Sequence, residues 1–377
     1  MRLKDVAARA GVSTATVARV IHDNGYASAD ARERVFAAIR ESGYRLNTVA
    51  QGLRRQRTLT LGHILNGILP NPFFAEVAIG VEHAAAEAGY NVLMFNARDD
   101  ADRERSGVET LLARRVDGII FTTALRAENV RMALEAGVPC VEVEKPLCDE
   151  AAAVVVDNYA GAYAAVEHLL GLGHRQIGYI GEPVGPRPGA PDDRVDRVVK
   201  ERLEAYQDAL AAAGLPAKKS HIVLGDYTHD PGWSDMRTGA EYAERLLAQA
   251  PELTAVFAAS DVLAAGALQA FYARRLRVPD QMSLVGFDDT FAKHLAPPLT
   301  TVRQPMFEMG ARAADLVVRA ASGGQPGRPA RETCTAHLIV RGSTGSAPTR
   351  PAPTGSAPTG ATVDSGPGRR RSPAPRP

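Results

Sequence analysis

The chain is predicted to be α/β: a small three-helix headpiece containing a helix-turn-helix, followed by a two-lobed core of parallel sheets. Three observations lead there. Residues 3–21, LKDVAARAGVSTATVARVI, write two short helices and the tight turn between them. From Leu59 onward, apolar runs of strand length alternate with amphipathic helical segments, the pattern of parallel strands covered on both faces. That alternating part, about 285 residues, is too long for one such sheet and implies two lobes.

In the first helix Leu3, Val6, Ala7 and Ala10 fall at i, i+3, i+4 and i+7, with Asp5 in the first turn. Gly11 ends it, because glycine adopts the left-handed backbone of a helix stop, and Ser13 follows as an N-cap for the next helix. Val17, Val20 and Ile21 make the buried face of that second helix. Thr14, Ala15, Ala18, Arg19 and His22 remain outward, a strip small enough to enter a major groove. Ser28 then caps a third helix running to about Ser42, with Ala31, Val35, Ala38 and Ile39 inward.

Charge is distributed unevenly. Residues 1–57 hold eleven Lys and Arg against five acids, +6, although the whole chain carries only +1. A basic head on an acidic body suits a polyanion-binding head, since each neutralised phosphate releases counterions. Between them NTVAQGL, residues 47–53, offers two turns of helix before the basic RRQRT. Alone in water so short a piece is unfolded. Two readings stay open: a flexible linker, or a segment that folds when a second copy packs against it over a minor groove.

Strands are expected at Thr60–Leu65, Asn91–Phe95, Gly118–Phe121, Pro139–Val143, Val154–Val156, Ile177–Ile180, Ala255–Ala258 and Ser283–Phe287. FAEVAIGVEHAAAEAG, AGAYAAVEHLLGLG, ERLEAYQDALAAAG and SDVLAAGALQAFYARR read as helices between them. The Pro, Gly and Asp-rich stretch 182–200 reads as a surface loop, and the Pro/Ser/Thr/Gly/Arg tail 343–377 as disordered. Cys140, Cys148 and Cys334 lack metal-ligand spacing and are expected to be free core thiols. With no secretory leader pattern and no 18-residue apolar run, the expectation is a cytoplasmic protein with no membrane partner.

In open α/β sheets ligands bind outside the carboxyl ends of the strands. Asn71, Phe73, Phe74, Glu144, Lys145, Tyr227, Ser260, Asp261, Asp288 and Asp289 all follow strands. Aromatic faces with carboxylates and an arginine suit a polyhydroxylated ligand; Asp261 and Asp289 also stand where helix N-caps would be. Neither GxSxG, HExxH, GxxxxGK[ST] nor a post-strand GxGxxG occurs, and the histidines are dispersed, so no catalytic, metal or cofactor role is assigned.

Taken together, LKDVAARAGVSTATVARV, SADARERVFAAIRESGYRLNTVAQGLR, NPFFAEVAIGVEHAAAEAGY, RRVDGII, VVVDNYAGAYAAVEHLLGLGHRQIGYIG, AVFAASDVLAAGAL, RVPDQMSLVGFDDT and LTTVRQP strongly resemble the lac repressor (LacI/GalR) family, in order from Arg2 to about Gly342. The resemblance implies a headpiece over 1–45, a hinge helix and linker over 46–57, and a periplasmic-binding-protein-like (type I) core over 58–342. The first lobe would take about 58–157 and 290–321, the second about 158–289 and 322–342. It implies a homodimer or tetramer that binds pseudo-palindromic double-stranded operator DNA, mostly as a repressor, without cofactor. Thr14, Ala15, Thr16 and Arg19 would meet the major groove. Asn47 and Leu53 would act in the hinge, Leu53 wedging into the minor groove.

Effector contacts would come from Phe73, Phe74, Glu144, Arg202, Tyr227, Ser260 and Asp288. The effector would be a sugar or sugar derivative, with a nucleoside or purine less favoured. Departures from the family pattern are Ala18 for Ser, Leu46 for Pro, Glu144 for Asp, Ser260 for Asn, and the long loop ahead of Arg202. The leading expectation is a DNA-binding regulator whose operator affinity is shifted by effector binding between the lobes. A cytoplasmic solute-binding protein or sensor without a promoter role is the alternative. It is disfavoured by the basic head, and an enzyme by the lack of catalytic groups.

Overall fold

The computed structural model describes residues 2–22, 24–43, 57–66, 71–184, 197–225, 235–323 and 329–348. They fall into two compact units, Met1–Thr60 with Arg115–Asp117, and Leu61–Arg114 with Gly118–Pro377.

The first unit holds α1 (Leu3–Ala10), α2 (Thr14–His22) and α3 (Ala29–Ser42). Each boundary has a local chemical cause. The Asp5 carboxylate accepts the Arg2 N–H at 2.7 Å, and Gly11 closes α1 in the left-handed conformation, φ 61°. Ser13 Oγ accepts the Thr16 N–H at 3.1 Å, and Ser28 Oγ the Ala31 N–H at 3.3 Å. Val6, Ala7, Ala10, Val17, Val20, Val35 and Ala38 meet in a core made only of valine and alanine. The expected inward faces are thus found, with Leu3, Ile21 and Ile39 at the rim.

The second unit contains two six-stranded sheets. The first is built from β1 (Thr60–Leu65), β2 (Asn91–Asn96), β3 (Gly118–Thr122), β4 (Cys140–Val143), β5 (Ala152–Val156) and β11 (Arg331–Cys334), in the order β11-β5-β4-β3-β1-β2. The second is built from β6 (Ile177–Gly181), β7 (Ile222–Leu224), β8 (Ala255–Ala258), β9 (Ser283–Asp288), β10 (Thr300–Arg303) and β12 (His337–Ile339), in the order β12-β10-β9-β8-β6-β7. The two orders are the same doubly wound path walked twice. They differ at the last strand, since β11 runs parallel to β5 and β12 antiparallel to β10. Each sheet therefore has its topological switch point in an equivalent place, between β1 and β3 and between β6 and β8.

Helices α4 (Phe73–Glu87), α5 (Ala101–Ala113), α6 (Ala127–Glu135) and α11 (Met306–Ala321) belong to the first lobe. Helices α7 (Asn158–Gly171), α8 (Arg197–Ala212), α9 (Met236–Gln249) and α10 (Asp261–Ala273) belong to the second. One helix pair in each lobe crosses backbone against backbone. A Cβ on Gly80 of α4 would lie 2.0 Å from the Phe307 carbonyl oxygen, and one on Gly310 of α11 2.1 Å from that of Val77. In the second lobe a Cβ on Gly266 would lie 2.0 Å from the Met236 oxygen, and one on Gly239 2.4 Å from the Leu263 oxygen.

The chain passes between sheets after β5, after β10 and after β11. The first crossing lies between Val156 and Asn158, and the other two depart from the expected lobe bounds. Residues 290–303 belong to the second lobe, because β10 pairs with β9, and only α11 returns to the first. Residues 331–334, expected in the second lobe, pair instead with β5 of the first. The tail also begins later than residue 343. The Ser343 carbonyl accepts the Leu284 N–H at 2.9 Å, and the Ala347 N–H donates to the Leu172 carbonyl at 2.9 Å. The three cysteines are buried and free, as expected. Among the described residues no helix is long and apolar enough to cross a membrane, and no His, Cys, Asp and Glu group could hold a metal ion.

Candidate functional site

Arg202 is the most unusual side chain of the second lobe, a guanidinium only 4% exposed. It projects from α8, on the same face as Val198, Val199, Ala205 and Tyr206. Its Nε donates to Asn158 Oδ1 at 2.9 Å, and Nη1 to the Ala259 carbonyl at 2.7 Å, just past β8 at the switch point. The guanidinium carbon lies 3.8 Å from the centroid of the Phe287 ring. Nη2 has no hydrogen-bond partner and stands 3.8 Å from Glu144 Oε1 of the first lobe.

Asp288 ends β9 with φ 121°. Gln304 Nε2 donates to its Oδ1 at 2.7 Å, and Asn71 Nδ2 of the first lobe approaches Oδ2 at 3.4 Å. Burial, offset in part by Arg202 and the Gln304 bond, pushes the Asp288 carboxyl up to about 7. Burial and then the Asp288 charge also hold Asp261 well above the usual carboxylate range. Asp289 is fixed differently: Arg303 Nε and Arg341 Nη2 each reach it at 2.7 Å.

The first lobe faces this cluster with less charge. Phe73 and Phe74 open α4, buried, with ring centroids 5.5 Å apart and planes at 90°. Asn71 Oδ1 accepts the Phe73 N–H at 3.0 Å and so orients that helix start. Glu144 leaves β4 with φ 71°, and Thr123 leaves β3 with φ 56°. Left-handed non-glycine residues thus stand at the carboxyl ends of β3, β4 and β9, where the surrounding structure must hold them.

Of the expected effector residues the structure brings together Phe73, Phe74, Glu144, Arg202, Ser260 and Asp288 near the carboxyl ends of the strands. Tyr227 lies outside the described residues. Ser260 is the N-cap of α10, its Oγ accepting the Leu263 N–H at 3.3 Å. That corrects the expectation for Asp261, which is the first helical residue. Its carboxylate accepts the Thr301 hydroxyl at 2.5 Å and the Thr290 N–H at 3.0 Å. Asp289 caps no helix either, being paired with two arginines. Sequence reasoning missed Asn158, Phe287 and Gln304, the partners that fix Arg202 and Asp288. Only their places beside a strand end or a sheet crossing could have flagged them.

On the headpiece, Thr14, Ala15 and Arg19 are exposed along α2. Thr16 is half-buried and its hydroxyl is engaged with Ser13 Oγ at 2.9 Å, so it serves the cap. Asn47 and Leu53 lie outside the described residues.

Comparison with known proteins sorts these features. Residues 2–47 match the model for bacterial regulatory proteins of the lacI family, and residues 166–344 that for the periplasmic binding protein-like domain. The chain is 36% identical over 350 residues to the HTH-type transcriptional regulator CelR of Thermobifida fusca, covering 90% of this chain and 97% of that protein. The chain belongs to the LacI family. It is 34% identical over 320 residues to catabolite control protein A of Priestia megaterium, covering 84% of this chain and 91% of that protein. Among solved structures, a lac repressor dimer bound to operator and the anti-inducer ONPF matches with TM-score 0.74 and 26% identity, over 92% of this chain and 99% of that one. A CelR–cellobiose complex matches with TM-score 0.67 and 33% identity, over 91% and 99%. As a LacI-family member the chain is a DNA-binding transcriptional regulator, and its relatives include proteins named as transcriptional regulators and as ribose operon repressors.

Proposed function

We propose that this LacI-family regulator binds its operator as a homodimer and that a small sugar, held between the two lobes of the body, changes its operator affinity. The observation that carries the reading is that Arg202 and Asp288 are both buried at the strand ends, with Arg202 Nη2 left without a hydrogen-bond partner. Nη2 of Arg202 can donate to a hydroxyl oxygen, while Glu144 and ionised Asp288 can accept hydroxyl protons. A polyhydroxylated ring presents both kinds of group at once, and Phe73 and Phe74 add apolar surface. The relatives support the same class, one being solved with cellobiose and others being named ribose operon repressors.

The coupling follows from where the contacts sit. Arg202 and Asp288 belong to the second lobe, Glu144 and Asn71 to the first, so a sugar touching all four favours one inter-lobe angle. A coupling of about 1–3 kcal/mol changes operator affinity roughly 5- to 150-fold. On the headpiece, Thr14, Ala15 and Arg19 meet the major groove, while Asn47 and Leu53 serve the hinge. A thermal-shift screen against sugars and nucleosides tests the class, since a ligand at about 100 times its Kd adds about 2.7 kcal/mol of apparent stability. A sugar that stabilises the full chain and changes its operator affinity is the expected result. Stabilisation by nucleosides alone overturns the sugar assignment.

A further inference from the structure

We infer that Asp117 is a positioning residue for DNA recognition: its carboxylate clamps the residues through which the basic linker enters the body, and so fixes the direction in which that linker leaves. The inference rests on the regulator reading above. Asp117 lies just ahead of β3, and Thr58 and Leu59 just ahead of β1. Thr58 N–H donates to Asp117 Oδ1 at 2.9 Å and Leu59 N–H to Oδ2 at 2.7 Å, so the two carboxylate oxygens hold two consecutive peptide planes. The Thr58 hydroxyl donates to the Arg115 carbonyl at 2.9 Å, and the Asp117 N–H donates back to the Thr60 carbonyl at 2.8 Å. Every bond in this knot ties residues 58–60 to residues 115–117.

A second observation indicates that the knot does more than start a strand. Leu59 has φ 49°, the left-handed region that a leucine avoids. An extended Leu59 would simply prolong β1 beside β3, whose pairing begins at Leu61 with Gly118. Instead the chain turns sharply there, and the bidentate carboxylate is what holds the unfavourable turn. The turn falls immediately after Arg54, Arg55 and Arg57, the basic residues of the linker. Such a clamp stops Thr58 and Leu59 from swivelling, so the point from which the linker departs is held by residues 115–117. Specific DNA contacts need that fixed point of departure; non-specific phosphate contacts do not.

The test uses the full-length chain and the duplex that the wild-type protein selects from a random-sequence pool. Binding to that duplex and to a scrambled duplex of equal length is measured for wild type, Asp117→Asn and Leu59→Gly. Asn can accept at one oxygen but places an N–H₂ against a second backbone donor. Asp117→Asn is expected to lower the specific-to-scrambled affinity ratio at least tenfold with scrambled binding unchanged. Leu59→Gly, which tolerates the turn but frees the chain, should fall between. Val130→Ala, a buried truncation in α6, serves as the stability control and should lower Tm without changing the ratio. Amide exchange reads the clamp directly, with the Leu59 N–H protected in wild type and fast in Asp117→Asn. A ratio unchanged in Asp117→Asn, or one that falls equally in Val130→Ala, overturns the inference while leaving the regulator reading standing. A wild type that selects no sequence overturns both.

Discussion

The two lobes share one strand order but use their buried carboxylates differently. In the first lobe Glu104 accepts the N–H groups of Leu125 and Arg126 and the Asn129 amide, while Glu142 accepts those of Leu147 and Cys148. Both are loop anchors, satisfied mainly by backbone of their own lobe. In the second lobe Asp261 and Asp288 crowd near one another at the strand ends, held mostly by side chains and, for Asp288, by an amide from the opposite lobe. Burial raises Glu142 and Asp288 alike, each up to about 7. The same perturbation therefore accompanies a structural tether in one lobe and, in the other, the carboxylate proposed to meet the sugar. Partners, rather than the shift alone, separate the two roles.

The largest expected difference is between Arg202→Met and Glu104→Gln. Removing Arg202 should weaken sugar binding at least about 100-fold, as breaking a buried, hydrogen-bonded charge costs about 3–5 kcal/mol. Glu104→Gln should leave sugar affinity unchanged and lower Tm; calorimetric titration beside a melting curve reads both. Loss of sugar binding in Glu104→Gln at unchanged Tm would erase the contrast. Next come the glycine crossings, where the lobes should behave alike. Gly310→Ala and Gly266→Ala each force a Cβ against a carbonyl oxygen and should cost about 2–3 kcal/mol in denaturant unfolding.

A smaller contrast has opposite signs. Glu142→Ala leaves the Leu147 and Cys148 N–H groups without their acceptor and should cost about 1–3 kcal/mol at neutral pH. Asp288→Asn removes a charge whose folded pKa lies above its unfolded value, so the stability linked to Asp288 is full below about pH 4 and is lost as pH rises through about 7. The variant should therefore be more stable than wild type at pH 8, by on the order of 1 kcal/mol, with the gain vanishing by pH 5. His63, lowered to about 4 by burial, acts with the reverse sign between pH 4 and 6.5 in both proteins and cancels in the difference. Finally, a sugar hydroxyl donating to Asp288 needs the ionised carboxylate. Sugar affinity should hold above pH 7.5 and weaken toward tenfold per unit below pH 7, a slope absent in Asp288→Asn.

The sequence made the fold legible where strands are buried on both faces. Ile119, Ile120 and Phe121, or Val256 and Phe257, read as apolar runs because nothing polar can sit there. It hid the short edge strands β11, RETC, and β12, HLI, in which only Cys334 is buried and no apolar run of ordinary strand length occurs. That blindness displaced the lobe boundaries, since β10 and β11 are the strands that reveal where the chain changes sheet. At the site, Asp288 is legible from its place after a strand, and Arg202 only through the family resemblance. Asn158, Phe287 and Gln304 are not, because an amide or a ring gains its role from a neighbour 16 to 85 residues away in sequence. Ser260 and Asp261 were exchanged for a plainer reason. Both side chains can cap a helix, and only the helix start shows which one does.

The most direct test of the cleft reading is operator affinity of the full chain with and without the stabilising sugar, in wild type and in Asp288→Asn. The account predicts a shift of at least fivefold in wild type and none in the variant, with equal sugar-free operator affinity in the two. An undiminished sugar response in Asp288→Asn, or loss of its sugar-free operator binding, would contradict it.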